Sequence, residues 1–147
     1  MEIRVLNDQF KKWAEEVINE QDQDLWNIKN GHVRIAYLES DVEKKDGKER
    51  LIYGQCEKVQ PKNKWAIDYD FTITLYRPNI LGMSEEQVKI LLFHELLHVG
   101  IDRDKDGGEV YSIRKHDLSD FRVIVEKYGP NWATGPKDGV LPLEDAE

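Results

Sequence analysis

A chain of 147 residues has room for one hydrophobic core, and its 39% hydrophobic and 34% charged residues are the proportions of a soluble globular domain. A net charge of −8 works against non-specific nucleic-acid binding, which needs clustered Lys and Arg. The single cysteine, Cys56, cannot close a disulfide within the chain, and no apolar run approaches the roughly 20 residues of a membrane span. Nothing at the start reads as a signal peptide, so a reducing cytoplasm, with neither nucleic acid nor membrane as partner, is the expected setting.

After a short apolar start, residues 7–20 set Phe10, Trp13, Ala14, Val17 and Ile18 at helical spacings, with Asn7 or Asp8 available as N-cap. Residues 32–38 then predict a strand with Val33, Ile35 and Tyr37 on one side. The charge-dense stretch 39–50, containing Asp46-Gly47, suits a solvated hairpin connection or mobile loop. A second strand is expected over 51–59. A third is expected over 65–76, where Ile67, Tyr69, Phe71, Ile73 and Leu75 alternate with polar residues.

Pro78 and Gly82 break the chain before Ser84-Glu85-Glu86-Gln87, a capping box that starts a helix. This helix should carry Val88, Leu91, Leu92, Leu96 and Val99 inward and stop near Gly100. Residues 100–115 read as a loop with a short extended piece at 110–113. A last helix is expected over 118–128, capped by Asp117 and ended by Gly129-Pro130. The fold class is therefore α+β: an N-terminal helix, three or four strands in an antiparallel or mixed sheet, and two further helices. Residues 1–132 are expected to form one domain, with 133–147 as a flexible tail.

The chemistry is concentrated in the second helix, at His94-Glu95-Leu96-Leu97-His98. Residues four apart on a helix are separated by about 40° around the axis and about 6 Å along it, so the two imidazoles project together and can share a metal ion. Glu95 lies about 60° from His98, beside that ion and outside its ligand set, where a general base acting on water belongs. HExxH would arise by chance in roughly one such chain in a hundred; its place inside a capped, amphipathic helix gives the spacing its meaning.

Catalytic zinc takes three protein ligands and leaves one position open. An HExxHxxGxxH arrangement would need Gly at 101 and His at 104, where the chain has Ile101 and Asp104. His116, at the entrance of the following helix, is the preferred third ligand and Glu109 the runner-up, with Glu126, Asp102, Asp104 and Asp106 as further candidates. The run Asp102-x-Asp104-x-Asp106-Gly107 looks like the start of a calcium loop, but its twelfth position is Ile113 instead of a bidentate Glu. It reads better as an acidic turn near the cleft mouth. Asp117 and Asp120 are placed to orient a ligating imidazole or to cap the helix, and His32 reads as surface.

The segments Phe93-His94-Glu95-Leu96-Leu97-His98, Lys115-His116-Asp117-Leu118-Ser119-Asp120-Phe121 and Tyr128-Gly129 resemble the putative phage metallopeptidase family over about residues 25–132. That family is itself similar to the SprT-like and minigluzincin zinc proteases, in which a sheet precedes the HExxH helix and a downstream residue completes the metal site. The resemblance implies a small zincin-like domain, one zinc ion on His94, His98 and His116, Glu95 as catalytic acid/base, and a peptide or protein substrate. It also implies a host cytoplasm for a phage- or prophage-encoded chain. The zinc-ribbon CxxC pairs of many SprT-like proteins are missing, which removes support for a DNA-repair role.

The expected reaction is peptide hydrolysis by metal-activated water, with strand 65–76 binding an extended peptide along its edge. Two other readings stay open. One is a metal-stabilised binding or regulatory protein, which a closed four-ligand site would mark; the other is a zinc hydrolase of nonpeptide amides or esters.

Overall fold

The computed structural model describes residues 1–63, 66–116, 121–129 and 131–133. Strand β1 (Arg4–Leu6) leads into helix α1 (Asp8–Glu20), where the Asn7 side chain accepts from the Phe10 N–H at 2.8 Å and satisfies one of the unpaired N–H groups of a helix start. The buried face of α1 is Phe10, Ala14 and Val17, as its spacing requires. A short helix α2 (Trp26–Lys29) follows, then strands β2 (Ile35–Ser40), β3 (Gly54–Lys58) and β4 (Phe71–Tyr76). After them come the short helix α3 (Arg77–Ile80), the motif helix α4 (Glu85–Leu97), strands β5 (Val99–Arg103) and β6 (Glu109–Ile113), and helix α5 (Arg122–Tyr128).

The architecture is α+β. Four strands form a mixed sheet in the order β1-β2-β4-β3, with β2 and β4 parallel and the other pairs antiparallel; β5 and β6 form a separate two-stranded sheet. On one face of the large sheet Tyr37, Ile73 and Leu75 join Phe10, Ala14 and Val17 of α1 and Leu92, Phe93 and Leu96 of α4 in the core. Across the other face the Arg4 guanidinium reaches from the first strand to Thr74 at 3.3 Å and to Glu57 on the last at 3.0 Å. Charged and hydroxyl groups thus cover that side, and the apolar residues turn toward the helices.

Two expectations for the strands need correction, and one strand goes beyond them. The apolar start is a strand, paired antiparallel with Leu38–Ser40. Residues 39–50 do not join neighbouring strands, because β4 inserts between β2 and β3; within 44–52 the chain folds back on itself through a single Lys45–Leu51 bridge. The third strand begins at Phe71, shorter than its alternation suggested, and is paired on both sides. Ile73, Thr74 and Leu75 are fully buried, so β4 cannot receive a peptide at an edge. Its alternation measured burial, and burial is greatest in a central strand. Trp65, at the start of the expected strand, lies outside the described residues.

Helix α4 is the centre of the molecule. The Ser84 hydroxyl accepts from the Gln87 N–H at 3.2 Å while the Gln87 side-chain carbonyl accepts from the Ser84 N–H at 2.9 Å, the reciprocal pair of a capping box. Beyond it the helix is buried on nearly every side, as suits a helix enclosed between a sheet, α1 and α5. It does not run on to Gly100. His98 is its C-cap, and β5 starts one residue later.

Gly100 serves another purpose: it faces Ser112 across the β5–β6 pair, and a Cβ there would lie 2.5 Å from the Ser112 hydroxyl and 2.9 Å from its carbonyl oxygen. Residues 99–113 are therefore a hairpin: the extended piece expected at 110–113 lies in β6, and the stretch expected as loop before it supplies β5 and the turn. At its turn the Asp104 carboxylate accepts from the N–H groups of Asp106 at 2.9 Å and Gly108 at 2.8 Å, and Gly107 supplies a φ of 84°. Five paired residues per strand set this turn roughly 17 Å from the end of α4, so the acidic run is a hairpin tip and does not border the motif helix.

The last helix begins at Arg122, with Phe121 at its N-cap position; the expected cap Asp117 and residues 118–120 lie outside the described residues, as does the expected tail beyond Ala133. Replacing Gly100 with Ala should destabilise the protein by about 1–3 kcal/mol, read as a lower thermal midpoint. The same change in a Ser112→Ala background should remain destabilising, because the carbonyl that the new methyl meets is still there. A neutral Gly100→Ala would show that the two strands are not held this close.

Candidate metal centre

His94 lies in the last turn of α4 and His98 caps it, as their four-residue spacing dictates. His116 comes from three residues beyond the end of β6. The ring centroids of His94, His98 and His116 are 5.2, 4.8 and 4.6 Å apart, and the Nε2 atoms of His94 and His116 approach to 3.0 Å. One ligand atom from each ring can be chosen so that all lie within 4.8 Å of one another. Two nitrogens held about 2.1 Å from one tetrahedral ion are about 3.4 Å apart, so the spacing is of the right order for three imidazoles around a single zinc-sized cation.

The orientation of His98 is set by β6. The ring Nδ1 lies 2.6 Å from the carbonyl oxygen of Arg114, and the Arg114 N–H donates to the His98 carbonyl at 2.7 Å. This pair is the next rung of the β5–β6 ladder, beyond Val99 and Ile113. A carbonyl only accepts, so Nδ1 carries the proton and Nε2 presents its lone pair; a ligating histidine is commonly oriented this way. Phe121 packs against all three rings, with centroids at 5.4, 4.8 and 4.9 Å from His94, His98 and His116. Three imidazole donors, His98 oriented from behind by a carbonyl and all three packed against one aromatic ring, fit a borderline-soft divalent ion such as zinc.

Glu95 is only 4% exposed. Gly54 of β3 lies directly over it: a Cβ there would be 3.3 Å from the carboxylate Oε2 and 2.8 Å from Leu75. Only glycine fits so close an approach of the strand, and Gly54 and Glu95 both border a cavity of about 400 Å³ whose walls also include His94, His116, Tyr53 and Trp132. Two residues along β3 from Gly54, burial pushes the Cys56 thiol far above its ordinary range, and the Glu95 charge adds to the effect. Nothing in these surroundings activates Cys56 as a nucleophile.

Among the described residues, His94, His98 and His116 form the group able to hold a metal ion. Glu109 is elsewhere, in β6, where its carboxylate accepts from the His32 N–H at 3.2 Å and the Tyr111 hydroxyl at 2.8 Å. Asp102, Asp104 and Asp106 belong to β5 and its turn, and Glu126 is exposed on α5. Asp117 and Asp120 lie outside the described residues. His32 is exposed, as expected.

Sequence reasoning missed two members of the site. Phe121 belongs to a segment that carries the family resemblance, but nothing in its spacing says that it faces the histidines. Trp132 was placed at the border of the tail, yet it is 5% exposed, packs 6.1 Å from His94 and is held by Gln87, whose side-chain N–H donates to the Trp132 carbonyl at 3.0 Å. One face of the Gln87 amide caps α4 and the other fastens this wall of the cavity.

Sheet, motif helix and clustered imidazoles are together compatible with a small zincin-like domain. The sequence model of the putative phage metallopeptidase family matches residues 5–138, and the chain belongs to that family. No curated protein and no solved structure matches the chain. Among the described residues no helix is long and apolar enough to cross a membrane.

Gln87→Glu keeps an oxygen for the Ser84 N–H but loses the N–H given to Trp132. It should cost about 1–3 kcal/mol of stability and shift tryptophan emission to the red, a shift that should vanish in a Trp132→Phe background. Emission unchanged by Gln87→Glu would mean that this wall is held in some other way.

Proposed function

We propose that the chain is a zinc-dependent peptidase in which the Nε2 atoms of His94, His98 and His116 hold one zinc ion and Glu95 is the general acid/base. The observation that carries this reading is the convergence of three imidazoles beside a buried carboxylate that lines the same cavity. Membership of a metallopeptidase family supports a metal and a peptide substrate.

When bound, zinc supplies Lewis acidity, which acidifies water and polarises a peptide carbonyl. Glu95, shielded from solvent at the floor of the cavity, takes the proton from the attacking water. It then passes that proton to the amine as the peptide bond breaks. The Arg114 carbonyl keeps His98 in one tautomer throughout, and Phe121 keeps bulk water from the rear of the three rings.

Strand β3 supplies a path for the substrate. Tyr53 and Val59 bond inward to Tyr76 and Asp70 at the two ends of its pairing with β4, at 3.0 and 2.9 Å, so by alternation the main-chain groups of Gly54 and Cys56 point outward. An extended peptide on that side would pass over Glu95 at Gly54. The reading takes residues 1–132 as one catalytic domain and 133–147 as an appendage, and assigns no role to nucleic acid or membrane.

Glu95→Gln should retain zinc while turnover of a broad peptide library falls by roughly 10²–10⁴-fold; turnover that survives the change would remove Glu95 from the reaction. His116→Ala should weaken zinc binding by more than the roughly 10- to 100-fold that loss of a supporting residue costs, measured by competition with a chelator of known affinity. Undiminished affinity would exclude His116 as a ligand.

A further inference from the structure

The cavity wall built by residues 44–53 carries a guanidinium, and that turn is more ordered than its composition suggested. Asp46 organises it: one carboxylate oxygen accepts from the N–H groups of Lys48 at 2.7 Å and Arg50 at 3.0 Å, and the other accepts from the Arg50 Nε–H at 2.9 Å. These bonds hold the Asp46 carboxyl below the usual carboxylate range. The Asp46 N–H donates to the Arg50 carbonyl at 2.9 Å, and Glu49 takes a φ of 63°, the left-handed region in which a non-glycine residue is uncommon. At the base of the turn the buried Asn79 side chain donates to the carbonyls of Lys44 at 2.8 Å and Ile52 at 2.6 Å, clamping both arms to α3.

Arg50 lines the same cavity as Glu95, His94 and His116. Its Nε–H is committed to Asp46, and that bond also fixes the plane of the guanidinium. The four Nη hydrogens remain, with no partner among the described residues. A planar fork of this kind fits a carboxylate bidentately. Asp46 does not compete for it, since its oxygens already accept three hydrogen bonds. Four residues of chain, at about 3.3 Å each, separate Arg50 from Gly54 above Glu95, so the guanidinium is within about four substrate residues of the reacting bond.

We propose that Arg50 is a specificity residue that receives a carboxylate of the substrate, either an Asp or Glu side chain near the scissile bond or the free C-terminus of the peptide. This rests on the peptidase reading of the site. Asp46 and Asn79 are positioning residues for it: one aims the guanidinium, the other holds the turn against the cavity.

The test uses the zinc-loaded full chain and alanine-based hexapeptides carrying Asp or Asn at each position in turn, each with a free or an amidated C-terminus. The wild type should favour the carboxylate-bearing member of one matched pair, and the arm in which the preference appears distinguishes a side chain from a C-terminus. Arg50→Gln should lower that preference in kcat/KM by roughly 10- to 100-fold, Arg50→Lys should restore part of it, and thermal midpoints should be unchanged. A preference that persists in Arg50→Gln, or no preference in the wild type, overturns the proposal. If no peptide of either kind is cleaved, the peptidase reading fails on its own. Calorimetric binding of the same matched pairs to wild type and Arg50→Gln then decides the proposal, equal binding of Asp and Asn peptides by the wild type refuting it.

Discussion

The Arg114 N–H donates to the His98 carbonyl and the Arg114 carbonyl takes the Nδ1–H of the same histidine, at 2.7 and 2.6 Å. This reciprocal pair joins the end of the motif helix to the end of β6, two residues before His116. It does two things at once: it fixes the His98 tautomer, and it brings the third imidazole back from a hairpin that runs about 17 Å away and returns. The hairpin is in turn registered by Gly100, whose missing side chain lets Ser112 approach. Without that ladder the two helix histidines would still share a face, but the third would have no reason to join them.

How much of this was legible in the sequence follows from the range of the forces involved. The capping box at Ser84 and the projection of His94 and His98 depend on neighbours within one helical turn, and both are found as read. The Asn7 cap and buried face of α1 are of the same kind. What failed was long-range. The alternation of residues 65–76 recorded burial without saying that β4 would be flanked on both sides, so its apolar pattern suggested an edge where there is a centre. Residues 100–115 read as loop except for the extended piece at 110–113, which β6 contains, because β5 and β6 are polar and exposed over much of their length and are held by pairing with each other. Gly100 read as a helix stop because glycine marks both a left-handed cap and a close strand approach. Phe121 and Trp132 became visible only once the chain had closed around the histidines.

The cavity is assembled from parts that already serve the fold. Gln87 caps the motif helix with one face of its amide and fastens Trp132 with the other. Gly54 begins the outer strand and lets it approach Leu75 and Glu95 closely. Asn79 holds the turn that carries Arg50. Each ties a wall of the cavity to a buried element, so the groups around the imidazoles are held by the same packing that stabilises the domain, as a preorganised site requires.

X-ray absorption at the zinc edge of the metal-loaded protein tests the central claim most directly, because it reads the atoms around the ion without requiring a substrate. Three imidazole nitrogens at about 2.0–2.1 Å with one oxygen donor are predicted. A sulfur shell at about 2.3 Å, or scattering from fewer than three imidazoles, would contradict the assignment of His94, His98 and His116 to a single ion.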